Sequence, residues 1–358
     1  MAARRRFLAA LGGAVPLAGM QAPPPLTAAG SLTDVGGLRV GHFTDPRRPT
    51  GCTVILFDKP AAAGADYNGS APAESLGVLL QPVSPLEHVH AILLAGGGPL
   101  ALGASAGVVR FLEEQKVGYD WGVPNVRVPI VVGAAIDDLA LGDGRIRVGP
   151  DEAYRACQSA TSAAVAEGSV GAGAGATVGK LFVGRGLPGM KGGVGGASVR
   201  LGQLVVAALV VVNAAGDILD WRTGTIVAGA RSADGRDFAK SVDVLRRDLE
   251  TRAARALAEG PLRATTLTVV ATNLTLTKTQ LTKLAMMANT GAARAILPYH
   301  TQSDGDQVLA VSTGSLELGV SLTPLGAVAA ELVADAIPRA VRAATSAAGW
   351  TALRDLPR

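Results

Sequence analysis

Apolar residues fall in short runs along most of the chain. Leu38–His42, Cys52–Phe57, Ala91–Ala95 and Thr266–Ala271 have the length and aliphatic content of buried strands, and Gln307–Ser312 adds another. Val126–Ile136 is a longer β-branched segment. Leu204–Asn213 is nearly all Val, Leu and Ala, which predicts a strand covered on both faces, with Ile218–Arg222 as its hairpin partner. Elsewhere the apolar positions recur at helical spacing: Leu100–Glu114, the Ala-rich Glu152–Ala166, Thr279–Ile296 and Leu325–Ala348. In the third of these, Leu281, Leu284, Ala285, Ala288 and Ala292 share one face. Strands and helices interleave without strict alternation, which predicts stacked sheets flanked by helices. There is no fixed-period repeat.

Three stretches break the pattern. Gly168–Gly196 is dense in glycine. Arg231–Arg263 is rich in Arg, Asp and Glu, poor in β-branched residues and contains the helix stop Gly260-Pro261, so it reads as a solvated helix or a mobile loop. At the start, Arg4-Arg5-Arg6-Phe7-Leu8 precedes an apolar run to about Met20, then Gln21-Ala22-Pro23. A basic patch, an apolar stretch and small residues describe a secretory signal over residues 1–22, and Arg-Arg-x-Phe-Leu fits the twin-arginine type. Residues 23–33 read as a linker. A periplasmic or secreted protein is expected, with no membrane contact once the signal is removed.

Composition narrows the function classes. The 358 residues are 48% apolar but only 4% aromatic, with 46 glycines, so the core is built from small aliphatic side chains and close backbone packing. The formal charge is +4, from 33 basic and 29 acidic residues; without Arg4, Arg5 and Arg6 it is +1. That balance removes the electrostatic basis for nucleic-acid binding. Two cysteines and four histidines show no metal spacing, and Cys52 and Cys157 read either as separately buried side chains or as a disulfide permitted by export.

Several motifs are decoys. Gly175-Ala-Thr-Val-Gly179-Lys180 lacks the first glycine and the final Ser or Thr of a phosphate loop. Gly96-Gly97-Gly98 reads as a tight strand-to-helix turn rather than a dinucleotide fingerprint. Ser105 lies between glycines in the letters of a nucleophile elbow, but inside a helical pattern. The informative place is Ala264-Thr265, where the charged stretch ends at a hydroxyl residue opening a strand. A threonine at a chain terminus carries its own base, an α-amine with a pKa of about 8. On the residues alone the pair also fits an ordinary strand start.

Thr265-Thr-Leu-Thr-Val-Val-Ala-Thr-Asn, Lys283-Leu-Ala-Met-Met-Ala, Gly291-Ala-Ala-Arg-Ala-Ile and Pro298-Tyr-His-Thr-Gln-Ser-Asp304-Gly-Asp306, with Ser312-Thr-Gly314, resemble the small chain of DmpA/NylC-type hydrolases. These are self-processing aminopeptidases and nylon-oligomer hydrolases. Val40-Gly-His42, Gly51-Cys-Thr-Val, Ala91–Gly97, Ala134–Asp143, Gly179-Lys180 and Val212-Asn213-Ala214 carry the likeness upstream, over about residues 34–345.

The resemblance implies one four-layer αββα sandwich over residues 34–358, divided by self-cleavage into a large chain, 34–264, and a small chain, 265–358. It implies Thr265 as nucleophile, Lys180 beside it, Asn213 holding the carbonyl oxygen, and Asp304 and Asp306 orienting the nucleophile and its amine. It implies a small peptide or amide substrate, no cofactor or metal, and a homo-oligomer, a tetramer of processed protomers. Read singly, Lys180 also fits a solvated lysine, Asn213 a turn cap, and Asp304-Gly-Asp306 a turn.

The chain departs from the family pattern in four places. Ala264 precedes the nucleophile where Asn or Gly is usual. Asp137 stands at an aromatic position lining the substrate pocket. Gly98-Pro99-Leu100-Ala101-Leu102 replaces a characteristic block, and Asn68–Leu80 lacks the family's charges. Two rival functions follow: an acyltransferase resembling ornithine acetyltransferases, which also cut at Ala-Thr, and an uncut binding protein.

Overall fold

In the computed structural model, residues 30–251 and 264–356 are described. The signal, most of the linker and the end of the charged stretch lie outside them. Nine strands form one hydrogen-bonded network: β1 (Leu38–Thr44), β2 (Gly51–Asp66), β3 (Glu74–Ser75), β4 (His88–Gly96), β5 (Val131–Ile136), β6 (Gly193–Leu201), β7 (Leu204–Asn213), β8 (Thr265–Leu274) and β9 (Gln307–Leu316). Their order is β6-β7-β8-β9-β2-β4-β5-β3, with β1 also on β2. The described residues include five α-helices: α1 (Ser105–Glu114), α2 (Pro150–Gln158), α3 (Ser241–Glu250), α4 (Lys278–Ala295) and α5 (Leu322–Ala343).

The network is continuous because β2 serves two sheets. Its first half pairs with β1 and β4, and its second half, Ala62–Asp66, pairs with β9. The register shifts between Leu56 and Ala61, around Asp58-Lys59-Pro60, where the proline has no N–H to give a ladder. The side chains then separate four layers. On β7, Val206, Ala208, Val210 and Val212 pack with α4 and α5, while Val205, Ala207, Leu209 and Val211 point to an inner core. That inner core is shared with Ile55 of β2, Ile92 and Leu94 of β4 and Val132 of β5. The opposite faces of those strands, with Val54, Leu93 and Val131, meet α1 and α2 through Val108, Leu112, Ala153 and Ala156. Three cores between four layers are the αββα sandwich, and strict two-residue alternation sorts each strand between two of them.

Some elements differ from expectation. The helix predicted over Glu152–Ala166 ends at Gln158, because Thr161 leaves it to bridge Val40 of β1 through two backbone hydrogen bonds. Asp217–Asp220 pairs with Thr225–Ala228 and with Ile296–Leu297, not with β7. The hairpin partner of β7 is β6, which begins at the end of the glycine-dense stretch. Part of the charged stretch is the helix α3. Cys52 of β2 and Cys157 of α2 are free thiols buried in the outer core between the sheet and helices α1 and α2.

Candidate active site

Antiparallel register brings the decisive residues together. Asn213 ends β7, Thr265 begins β8, and the two are paired Cα to Cα. Lys180 reaches the same place by a tight passage. Gly179 has φ +64°, and a Cβ there would lie 2.1 Å from the backbone of Gly229 and Ala230, so only glycine fits. Backbone bonds from Gly179 to Gly216 (2.9 Å) and from Lys180 to Ala215 (3.0 Å) hold the turn just beyond β7.

Asn213 is fully buried and its amide is oriented by its neighbours. Its Oδ1 accepts from Lys180 Nζ (2.6 Å), Thr177 N (3.0 Å) and Thr177 Oγ1 (3.3 Å), so its Nδ2 must face the other way, where it donates to the Asp137 carbonyl (3.2 Å). Lys180 Nζ also donates to Thr177 Oγ1 at 3.2 Å. Those two acceptors match the two N–H bonds of a neutral amine and leave its lone pair unengaged by them. Although Lys180 is half-buried as a residue, its ammonium end is enclosed, and that burial lowers its pKa to about 7 against the opposing pull of Asp304, Asp137 and Asp138.

Thr265 is 5% exposed. Its hydroxyl donates to the carbonyl oxygen of Ala264 at 2.5 Å, and the Gly305 N–H donates to the same oxygen at 2.9 Å. A Cβ on Gly305 would lie 2.9 Å from Thr265 Oγ1 and 2.4 Å from the Ala71 carbonyl oxygen, which explains glycine between the two aspartates. The Ala264 N–H donates to Ser303 O (3.3 Å), so Ala264 is held on both sides of the junction.

Neither aspartate makes a hydrogen bond to the Thr265 side chain. Asp306 Oδ1 accepts from Thr266 N at 2.6 Å, and its Oδ2 accepts from the backbone and ring of His300 (3.3 and 3.1 Å). Asp304 accepts from Thr301 N (3.0 Å) and from the Thr301 hydroxyl. Burial, then the charge of Asp306, raises the Asp304 pKa to about 6, against hydrogen bonds from Thr301 and the pull of Lys180. Asp137 turns its carboxylate onto Leu139 N (2.9 Å), and its carbonyl is the part that meets Asn213.

The structure thus gathers Thr265, Lys180, Asn213, Asp304 and Asp306 at one end of the inner sheets. Sequence reasoning missed Thr177, Gly305 and His300. Thr177 hides in the glycine-dense stretch, whereas Gly305 and His300 lie within a block that was already visible. Chemically the arrangement offers a hydroxyl against a polarised carbonyl, an amine near neutrality and a carboxamide donor, the parts of an acyl-transfer site.

The model of peptidase family S58 matches residues 30–354. An uncharacterized aminopeptidase of Mycobacterium leprae is 38% identical over 352 residues, covering 89% of this chain and 92% of that one. A 6-aminohexanoate-oligomer endohydrolase of a Kocuria species is 31% identical over 323 residues, covering 86% and 85%. Among solved structures, the L-aminopeptidase D-Ala-esterase/amidase of Ochrobactrum anthropi, described as a variant of the Ntn hydrolase fold, superposes with a TM-score of 0.63 at 22% identity, covering 91% of this chain and 89% of the other.

Proposed function

The chain belongs to peptidase family S58, and on that premise we propose that Thr265 is the nucleophile of an amide hydrolase that activates itself by cutting the Ala264–Thr265 bond. Membership supports the reaction class, hydrolysis of peptide and amide bonds. The observation supporting the self-cleavage is the Ala264 carbonyl oxygen, which receives both the Thr265 hydroxyl and the Gly305 N–H.

In the cleavage step, Thr265 Oγ1 adds to the Ala264 carbonyl carbon and its proton passes to neutral Lys180. The Gly305 N–H holds the negative charge growing on the oxygen. The C–N bond breaks, Lys180 returns the proton to the departing nitrogen, and an Ala264 ester on Thr265 remains. Water hydrolyses the ester, leaving a carboxylate on Ala264 and a free amine and hydroxyl on Thr265. The same hydroxyl then attacks substrate amides, with the α-amine as base. Asn213 serves as the carboxamide donor to the oxyanion, at a typical value of about 3–4 kcal/mol for such a donor. Asp304 and Asp306 favour a substrate with a free amino group. The relatives' names agree with small peptides or amino-amides as substrates. Export through the N-terminal signal and assembly into a homo-oligomer, a tetramer of processed protomers, complete the proposal.

Substitution at the nucleophile tests it. Thr265→Ser keeps a hydroxyl and is expected to give two bands on a denaturing gel with amidase activity. Thr265→Ala is expected to stay one band and lose activity by at least about a thousandfold. An active Thr265→Ala protein contradicts the proposal.

A further inference from the structure

His300 has a backbone and a side chain that each need explaining. Its φ is +54°, a left-handed conformation uncommon outside glycine, asparagine, aspartate and histidine. Its ring is partly exposed, while the Asp306 carboxylate it touches is completely buried. Around the ring the hydrogen bonds form a line. Asn289 of α4 donates from Nδ2 to Asp66 Oδ2 (2.8 Å), and Asn68 donates to the same carboxylate (2.6 and 2.7 Å). The Tyr299 hydroxyl donates to Asn289 Oδ1 (2.7 Å). With its oxygen on the Tyr299 hydroxyl, the Asn289 amide turns its nitrogen to Asp66, and that same nitrogen lies 3.2 Å from His300 Nε2. Nε2 is therefore an acceptor. The ring proton sits on Nδ1 and is donated to Asp306 Oδ2 at 3.1 Å. Asp306 Oδ1, in turn, takes the N–H of Thr266, the residue after the nucleophile.

We propose that His300 is a positioning residue for self-cleavage: Asn289 and Asp66 fix its tautomer, and its Nδ1–H fixes Asp306, which sets the backbone beside Thr265. The proposal rests on the reading of Thr265 as nucleophile. Without the ring donor, Asp306 Oδ2 keeps only the longer backbone bond of 3.3 Å, and the carboxylate is free to turn away from Thr266.

The backbone conformation suggests a clean pair of variants. Glycine and asparagine both accept φ +54°, so neither adds strain. His300→Gly removes the ring donor. His300→Asn places an amide nitrogen near the former Nδ1, within reach of Asp306. The full-length chain is made by cell-free translation, and its conversion to two fragments is followed on denaturing gels, beside Thr265→Ala. Wild type is expected to cleave, His300→Gly to cleave at least tenfold more slowly, and His300→Asn to recover to within about threefold of wild type, the range set by one buried hydrogen bond to a charged group. Wild-type cleavage by His300→Gly, or equal slowing in both variants, overturns the proposal while leaving Thr265 in place. Cleavage at the same bond in Thr265→Ala removes the nucleophile and the proposal with it.

Discussion

Lys180 is the residue whose chemistry is set most completely by its surroundings. Burial brings its pKa to about 7, and Asn213 and Thr177 take the two N–H bonds of its neutral form. In the proposed mechanism Thr265 has no free amine before the chain is cut, so Lys180 is assigned as the base for that step. A base must be unprotonated to work. The first-order rate of self-cleavage is therefore expected to fall about tenfold per pH unit below pH 7 and to level off above it, as the lysine loses its proton. Asp304, with a pKa of about 6, is ionised across the plateau. Quenched samples across pH 5–9 give the profile, and a flat one contradicts this role. Lys180→Met is expected to cleave at least about a hundredfold more slowly. Thr177→Val keeps the shape and the backbone bond to Asn213 but loses the hydroxyl. A drop of about tenfold is expected, with recovery in Thr177→Ser, measured on the same gels. Thr265, Asn213, Lys180 and the two aspartates were legible as residues through blocks of sequence. Their partners were less so: Thr177 sits among glycines and carries no signal until the fold brings the Asn213 amide to it, and His300, although inside a visible block, shows no role until the fold brings it the Asp306 carboxylate.

Among the elements, runs of β-branched residues announced their strands, with β7 visible to the residue and the start of β8 to within one. β6 was invisible for a physical reason. Gly193, Gly195 and Gly196 have no side chain to show alternation, yet Gly193 and Gly195 are what lets α5 lie close to the sheet. A Cβ on Gly195 would be 2.2 Å from the Ala336 carbonyl oxygen and 2.6 Å from Ala340 N. Gly195→Ala is expected to push the helix away, costing about 1–3 kcal/mol and lowering Tm by several degrees in differential scanning calorimetry. Gly184, with open space where its Cβ would go, is the control: Gly184→Ala is expected to leave Tm within about a degree. Equal shifts in both variants contradict the account of β6. The early end of α2 has a similar origin, since alanine content favours helix but a bridge from Thr161 to Val40 outweighs it.

For the molecule as a whole, the four layers were foreseen while the single network joining them was not. No periodicity marks a strand that belongs to two sheets; Pro60 in the middle of β2 is the one local trace of the change. This construction matters for the site, because β2 ends at Asp66, beside Asn289 and the His300 ring, while β9 beyond it follows directly from Asp306. The central claim is that one bond, Ala264–Thr265, is opened by the hydroxyl beside it. Intact mass measurement of the purified protein tests this most directly. The expected result is two polypeptides, the smaller beginning at Thr265, whose masses add up to the mature uncut chain plus one water. A single intact polypeptide that still hydrolyses amides would contradict the account.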